Sequence, residues 1–434
     1  MLDPVLRLLA RLRLPGAAAA LLRLVVALRP SHARALTELQ AIALARGDGA
    51  QAIALGERLV ALDPDHRGAL RNLAVLHLRA GDLDAALAPF ARVDALDGAP
   101  PGATRLLADA DMDPAAAARG EPYVAALDDV LVDTDYWFVG NGERLYAREV
   151  HGRTVANHPA VRGRVSPDGR RVIVTWAAPA RTIEAPCVLL GGDDNYSHWI
   201  TRNLIKLSLV EARPELAALP LVVHEDLRAY QREYLALLGI DETRLLRVPR
   251  PAVVAFRRLY VPTQLRNHPC MRGGIDWLRV RLARCMHPGE PRDLVYVSRR
   301  ESPVRKLLND AELAAALKRL GFRIIVPGTM SVAAQIAAFS RARVVVAAHG
   351  AGLANLVYSR PGARVVEIAS AIIAHMDDFR VIARVMGQHV TTLVSDDLGP
   401  AGAADEHPMH RHYRCDVAAV LATVRRELAA AGAA

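Results

Sequence analysis

The chain has 434 residues, 52% of them hydrophobic, enough for two or three domains with cores of their own. Lys and Arg number 55 against 46 Asp and Glu, a net charge of +9. That balance favours anionic partners such as nucleotide diphosphates or an anionic membrane face, but the basic residues are scattered and no basic block is interleaved with aromatics, which argues against nucleic acid. The four cysteines, Cys187, Cys270, Cys285 and Cys415, show no CxxC spacing and do not indicate a zinc ribbon.

Residues 1–33 imitate a signal peptide, with early arginines and an apolar stretch. The uncharged run 14–22 is interrupted by Arg23, well short of the about 20 apolar residues a spanning helix needs. A repeat explains the segment better. Gly47-Asp48 recurs as Gly81-Asp82, and Leu28-Arg29-Pro30 as Leu62-Asp63-Pro64, each 34 residues on; Leu39 returns as Leu73 and Ala52 as Ala86. That is the period of the tetratricopeptide helix pair. Leu70, Leu73, Ala74 and Leu78, then Ala85, Ala86 and Phe90, fall at helical spacing, with Gly-Asp as the turn between helices. Residues 1–98 therefore read as about three units, the first a degenerate one with 16–28 in the second-helix register; a plain helical bundle is the alternative. The concave face of such an array is a place for a protein partner. The chain reads as cytoplasmic, with peripheral contact at the inner membrane face compatible with its charge.

Residues 99–121 carry Pro-Pro-Gly and an Asp/Ala run and read as a linker. The acid pairs Asp109, Asp111 and Asp113, then Asp133 and Asp135, read as turn or cap carboxylates rather than cation ligands. Beyond residue 140 strand-like runs appear at 172–176, 187–191, 221–224, 253–261, 294–297, 323–326, 344–347 and 365–368, with helical patterns at 200–209, 311–320 and 332–339. Such alternation predicts parallel sheets covered by helices. Two α/β halves are expected, 122–288 and 289–434, the second closing on a terminal helix.

Three blocks carry chemistry. In Val344–Ala347 and the following His349-Gly350-Ala351-Gly352, a buried strand runs into a glycine-rich turn and a helix, where backbone N–H groups can meet an anion. Asn355 comes next, and Glu367 ends the second strand, a place from which an acid commonly takes a ribose hydroxyl. Equally, the glycines suit a tight strand–helix connection and His349 a structural histidine. The block Asp193-Asp194-Asn195-Tyr196-Ser197-His198-Trp199 gathers two carboxylates and an imidazole after a strand, suitable for a general base, although both aspartates also suit helix N-caps. The third, Arg299, Arg300 and Arg305 before Asn309, can clamp phosphate oxygens, while Asn309 also suits a helix cap.

In this order and spacing the blocks resemble glycosyltransferase family 61 over about residues 185–395. Asn195 and His198 match its Asn-x-x-His block, and Arg299, Arg305 and Asn309 its Arg-x5-Arg-x3-Asn block. Gln335 matches the Gln before the loop; His349, Gly350, Ala351, Leu353 and Asn355 match the loop; Pro361, Gly362 and Glu367 match the family's Pro-Gly pair and the Glu after the next strand. The resemblance implies an α/β fold with a GT-B-like pair of Rossmann-type domains, here preceded by an all-α tetratricopeptide-like array. It implies inversion at the anomeric carbon and a nucleotide-sugar donor, usually UDP-linked, with no metal or other cofactor required. The acceptor would be a glycan, glycolipid or protein in surface polysaccharide biosynthesis. Arg299, Arg305, Asn309, Gln335, His349, Gly350, Ala351, Gly352, Asn355 and Glu367 would bind the donor, with Asn195, Tyr196 and Trp199 on the acceptor side. The chain departs from the family at Arg202, where an acid usually stands seven residues after the first Asn. His198 aided by Asp194, with Asp193 beside them, would then supply the base; the alternative is a non-catalytic adaptor.

Overall fold

The computed structural model describes residues 15–146, 170–399 and 407–432; the start of the degenerate first repeat, residues 1–14, lies outside them. The chain divides into two compact units. One takes the residues up to Pro114, Leu127–Ala185 and Pro251–Arg258; the other takes Ala115–Ala126, Pro186–Arg250 and Leu259–Ala434.

The described part of the first unit opens on helices α1 Pro15–Leu28, α2 Ala33–Ala45, α3 Gly49–Leu62, α4 Arg67–Arg79 and α5 Leu83–Leu96. The 34-residue period reaches into their ends. His32 and His66 cap α2 and α4 by accepting from the N–H groups of Ala35 (3.2 Å) and Ala69 (3.1 Å). Asp48 and Asp82 cap α3 and α5 through Gln51 (3.0 Å) and Ala85 (2.9 Å). Gly47 and Gly81 hold φ near 73° and 80°, the left-handed turn that ends one helix and releases the following Asp to start the next. Leu70, Leu73, Ala74, Ala86 and Phe90 are buried as their spacing predicts, while Leu78 and Ala85 are half-buried.

Gly56 lets α3 pass closely by its neighbours. A Cβ there would overlap the Gln40 amide and stand 2.9 Å from the Leu73 side chain. Gln40 cannot easily yield: its Nε2 donates to Ala52 O (3.1 Å) and its Oε1 accepts from Asn72 Nδ2 (3.1 Å). Gly56→Val is expected to destabilise the repeats by about 1–3 kcal/mol through overpacking. The readout is an earlier thermal loss of helical signal; an unchanged transition would mean that the helices separate at no cost.

The segment expected to be a linker carries strand β1, Thr104–Asp109. It pairs antiparallel with β5, Arg171–Thr175, and parallel with β4, Arg144–Leu145. Between them in sequence lie β2, Val124–Asp133, and β3, Phe138–Gly140, which pair antiparallel with each other. The reason β1 exists is the exposed end of the solenoid, whose apolar face must be covered. Leu106 and Ile173 close a cluster with Ala74, Leu83, Ala86 and Phe90 of the last repeat. Buried Asp94 of α5 accepts from Thr104 Oγ1 (2.9 Å) and Thr175 Oγ1 (2.6 Å), tying both strands to the helix. The parallel order expected throughout 122–288 is therefore absent from β1–β5, apart from the β1–β4 pair, and starts with β6, Arg181–Ile183, on β10, Val253–Pro262.

In the second unit β7, Cys187–Leu189, β8, Leu221–His224, and β9, Leu245–Val248, run parallel in the order β7–β8–β9, with the end of β10 beside β7. A five-stranded parallel sheet comes after it, in the order β12–β11–β13–β14–β15, from β11 Asp293–Val297, β12 Arg323–Ile325, β13 Ala342–Ala348, β14 Arg364–Ser370 and β15 His389–Ser395. The helices of this unit include α6 Ala229–Leu237, α7 Met271–Arg281, α8 Asp310–Arg319, α9 Val332–Arg341, α10 Asp378–Val385 and α11 Val417–Gly432. β13 is apolar almost throughout because both its faces are covered. One core joins the two strand layers, with Val188, Leu190 and Trp199 from the first and Val295, Val345 and Leu353 from the second. The chain leaves β11 to one side for β12 and to the other for β13, which opens a crevice at the carboxyl ends of these strands.

The helix expected over 200–209 is broken. A turn at Tyr196–His198 passes into a π-helical turn, Trp199–Leu204, before α-helix resumes at Leu207–Glu211. Asn203 Nδ2 donates to Leu190 O (2.8 Å), which ties this wide turn to the strand end. No helix among the described residues is long and apolar enough to cross a membrane.

Candidate active site

A cavity of about 440 Å³ opens in the second unit at the carboxyl ends of β11, β12 and β13. One wall is Val297–Arg299, the turn Val326–Gly328 with Met330, and the loop Gly350–Leu353; the other is Tyr196 with Tyr230 and Glu233 of α6.

The arginine segment is fixed at its root. Asp310, at the start of α8, accepts from Tyr296 Oη (2.5 Å) and Ser298 Oγ (2.7 Å), holding the end of β11. Arg299 then turns its Nη2 to Ser302 Oγ (2.8 Å) and Val304 O (3.2 Å), while its Nε is buried without a partner. Arg305 also has a buried, unpartnered Nε and sits at φ near 53°, a left-handed conformation uncommon for a side chain of this size. Neither guanidinium meets a carboxylate among the described residues. Burial, reinforced by the neighbouring charge of Arg305, pulls Arg299 down to about 10, and burial lowers Arg305 as well. Cations held in this state favour an incoming anion. Gly350 makes room for the arrangement, since a Cβ there would fall inside the Arg299 guanidinium. Gly352 stands where a Cβ would press on Pro327 and Val297, both at 3.3 Å.

The other loop residues work beneath the cavity. His349 is 2% and Glu367 1% exposed, and His349 Nδ1 lies 2.8 Å from Glu367 Oε1. Glu367 Oε2 accepts from Thr392 Oγ1 (2.9 Å) and Arg380 (3.2 Å), so both carboxylate oxygens are occupied. Burial pushes Glu367 up, but the hydrogen bonds from His349 and Thr392 and the charge of Arg380 outweigh it and hold the carboxyl below its ordinary value. The strand end thus places Glu367, expected to take a ribose hydroxyl, inside the protein with both oxygens engaged. Asn355 and Gln335 belong to a buried relay. Tyr358 Oη donates to Tyr234 Oη (3.1 Å), which lies 3.0 Å from Tyr196 Oη; Tyr196 donates to Asn355 Oδ1 (2.8 Å), Asn355 Nδ2 to Gln335 Oε1 (2.9 Å), and Gln335 Nε2 to Pro327 O (3.0 Å). The relay joins the two walls and sets the turn at Pro327. Asn309 is not at the cavity: its amide clasps Cys415, donating to the carbonyl (2.8 Å) and accepting from the N–H (3.0 Å).

A second cluster lies after β7. His198 Nδ1 is 2.8 Å from Asp193 Oδ2, so Asp193 and not Asp194 supports the imidazole. Asp194 is held by Arg228 (2.9 Å) and Arg250 (3.1 Å), and its carboxyl is lowered first by the Arg228 hydrogen bond. Burial pushes His198 down, Asp193 opposes this, and the charges of Arg202 and Arg266 add to the lowering. Arg266 pairs with Asp378, and the adjoining Phe379 ring lies 4.9 Å from the His349 ring, which brings this cluster beside the glycine loop. Asn195 caps the turn, its Oδ1 accepting from Ser197 N–H (2.9 Å). Trp199 is fully buried in the core and is not available to an acceptor. Asp133 closes a turn by accepting from the Asp135 (3.1 Å) and Tyr136 (3.0 Å) N–H groups. Among the described residues no group of three or more His, Cys, Asp and Glu is placed to hold a metal ion.

Tyr230, Glu233, Arg266 and the Pro327 turn carry no motif. Only the three-residue spacing of Tyr230 and Glu233 on one helix face hints that they act together.

Comparison with known families adds two findings. The tetratricopeptide repeat model matches residues 43–110, and the glycosyltransferase 61 model matches residues 196–366, which takes in both walls of the cavity and His198 but starts after Asp193, Asp194 and Asn195. No curated protein matches the chain. The segment that builds the site is a glycosyltransferase family 61 domain set behind tetratricopeptide repeats, and the chain is a glycosyltransferase.

Proposed function

We propose that the protein is an inverting transferase that moves a sugar from a nucleotide donor, UDP-linked, to a glycan, glycolipid or protein hydroxyl in surface polysaccharide biosynthesis. The two parallel layers of the second unit would work as a GT-B-like pair, divided near residues 288 and 289, with the donor against the second. The observation that carries the reading is a pair of half-buried arginines, Arg299 and Arg305, whose buried Nε atoms have no partner and which meet no carboxylate among the described residues, with Arg299 against Gly350 of the glycine loop. A diphosphate supplies the missing negative charge, and no cation is called for in this reading.

His198 is the base in this account. Asp193 orients the ring through Nδ1, and the lowered pKa keeps it neutral near pH 7, leaving Nε2 to take the acceptor's proton. The acceptor oxygen then attacks the anomeric carbon as its bond to the diphosphate breaks, and the leaving charge passes to Arg299 and Arg305. Arg202, standing where relatives of this family usually have an acid, is consistent with a base supplied by His198. The repeats offer a surface for a protein partner.

A panel of UDP, GDP, CMP, NAD and nucleotide sugars in a thermal-shift experiment tests the reading. A ligand bound only by the native state adds about 2.7 kcal/mol at a hundredfold excess over its Kd. UDP and UDP-sugars are expected to raise the midpoint in the wild type and not in Arg305→Ala. A flat response to every nucleotide would overturn the donor assignment.

A further inference from the structure

We propose that Glu233, on the wall opposite the arginines, reads a ribose hydroxyl of the bound nucleotide; this deepens the transferase reading above and rests on it. The strand-end acid that normally suits this task, Glu367, is 1% exposed with both oxygens occupied. The carboxylates that line the cavity are Glu233 and Glu301. Glu301 is exposed, in the turn just after the arginines Arg299 and Arg300. Glu233 is half-buried on α6, three residues after Tyr230, so the two share one helix face toward the cavity.

Its geometry suits an acceptor held in place. Oε1 accepts from the Ala333 N–H in the first turn of α9 (3.2 Å), next to the cap that Ser331 Oγ gives Ala334 (3.1 Å). Oε2 has no partner among the described residues. A carboxylate oxygen with free lone pairs takes only hydrogen-bond donors, and it repels phosphate. The cavity thus has a cationic side for the diphosphate and an anionic side for hydroxyls. Anchoring through Oε1 fixes the carboxylate before the ligand arrives, so little ordering is lost on binding.

Titration calorimetry on the full chain compares UDP and GDP with their 2′-deoxy and 3′-deoxy forms. The wild type is expected to bind the ribose form about tenfold or more tightly than one deoxy form, the usual worth of a hydrogen bond to a charged group. In Glu233→Gln, which keeps an oxygen for Ala333, and in Glu233→Ala, that ratio should fall toward one while the deoxy form binds as before. Glu301→Gln should keep the wild-type ratio. A ratio that survives in both Glu233 variants, or that passes to Glu301→Gln, overturns this assignment alone. If neither diphosphate binds the wild type, the transferase donor site falls with it.

Discussion

Glu367→Ala is expected to cost about 3–5 kcal/mol of unfolding free energy at neutral pH, the usual penalty for removing one partner of a buried ion pair. The carboxylate is the shared acceptor of His349, Thr392 and Arg380, and the buried His349 ring would lose its partner. Its loss also frees the His349 ring, which carries the backbone into Gly350 and so the wall that meets Arg299. The effect depends on pH in a definite direction. Glu367 is held below its ordinary value of 4.5, so its contribution is full above that value and is lost as pH falls through the lower folded pKa. Urea unfolding of wild type and variant at pH 7 and again near pH 3 should give a wide gap that narrows in acid. A gap of equal size at both pH values would mean that the side chain matters for its shape and not its charge.

The parts of this molecule that repeat or alternate were legible from residues alone. Gly47-Asp48 and Gly81-Asp82 mark both the period and the helix ends, because the turn needs a left-handed residue followed by a capping oxygen. The buried strands of the second unit announce themselves as Val-rich runs, and the arginine and glycine blocks do meet at one cavity. What the pattern hid depends on tertiary partners. β1 lies in Pro-Pro-Gly surroundings and is a strand because the last repeat needs covering, with Asp94 placed to receive both threonines. Asp193 and Asp194 are adjacent in sequence, and only the positions of His198, Arg228 and Arg250 decide which one serves the imidazole. Glu367 and Asn355 fit the family motif, yet they hold the loop from beneath, a role that spacing does not separate from contact with a ligand.

Arg299→Met is expected to raise the stability of the ligand-free protein by about 1–2 kcal/mol while weakening nucleoside diphosphate binding about 10–100-fold. The opposite signs come from one fact: the charge is buried for a ligand and not for the fold. Burial and the neighbouring Arg305 together bring Arg299 down to about 10, so folding works against its charge, and its Nε has no partner. Methionine fills the volume with a flexible apolar chain. Nothing is orphaned by the change, because Ser302 Oγ already donates to Val304 O (2.8 Å) without the arginine. The diphosphate, in contrast, loses a charge-assisted donor where no water-rich surroundings replace it. Chemical denaturation without ligand and calorimetry with UDP separate the two effects. Lower stability in the variant would mean that the fold itself neutralises Arg299, and unchanged affinity would place the phosphates elsewhere. If both shifts appear with the expected signs, the cavity is one whose resting strain is relieved by the donor, and the donor's charge is what completes the structure.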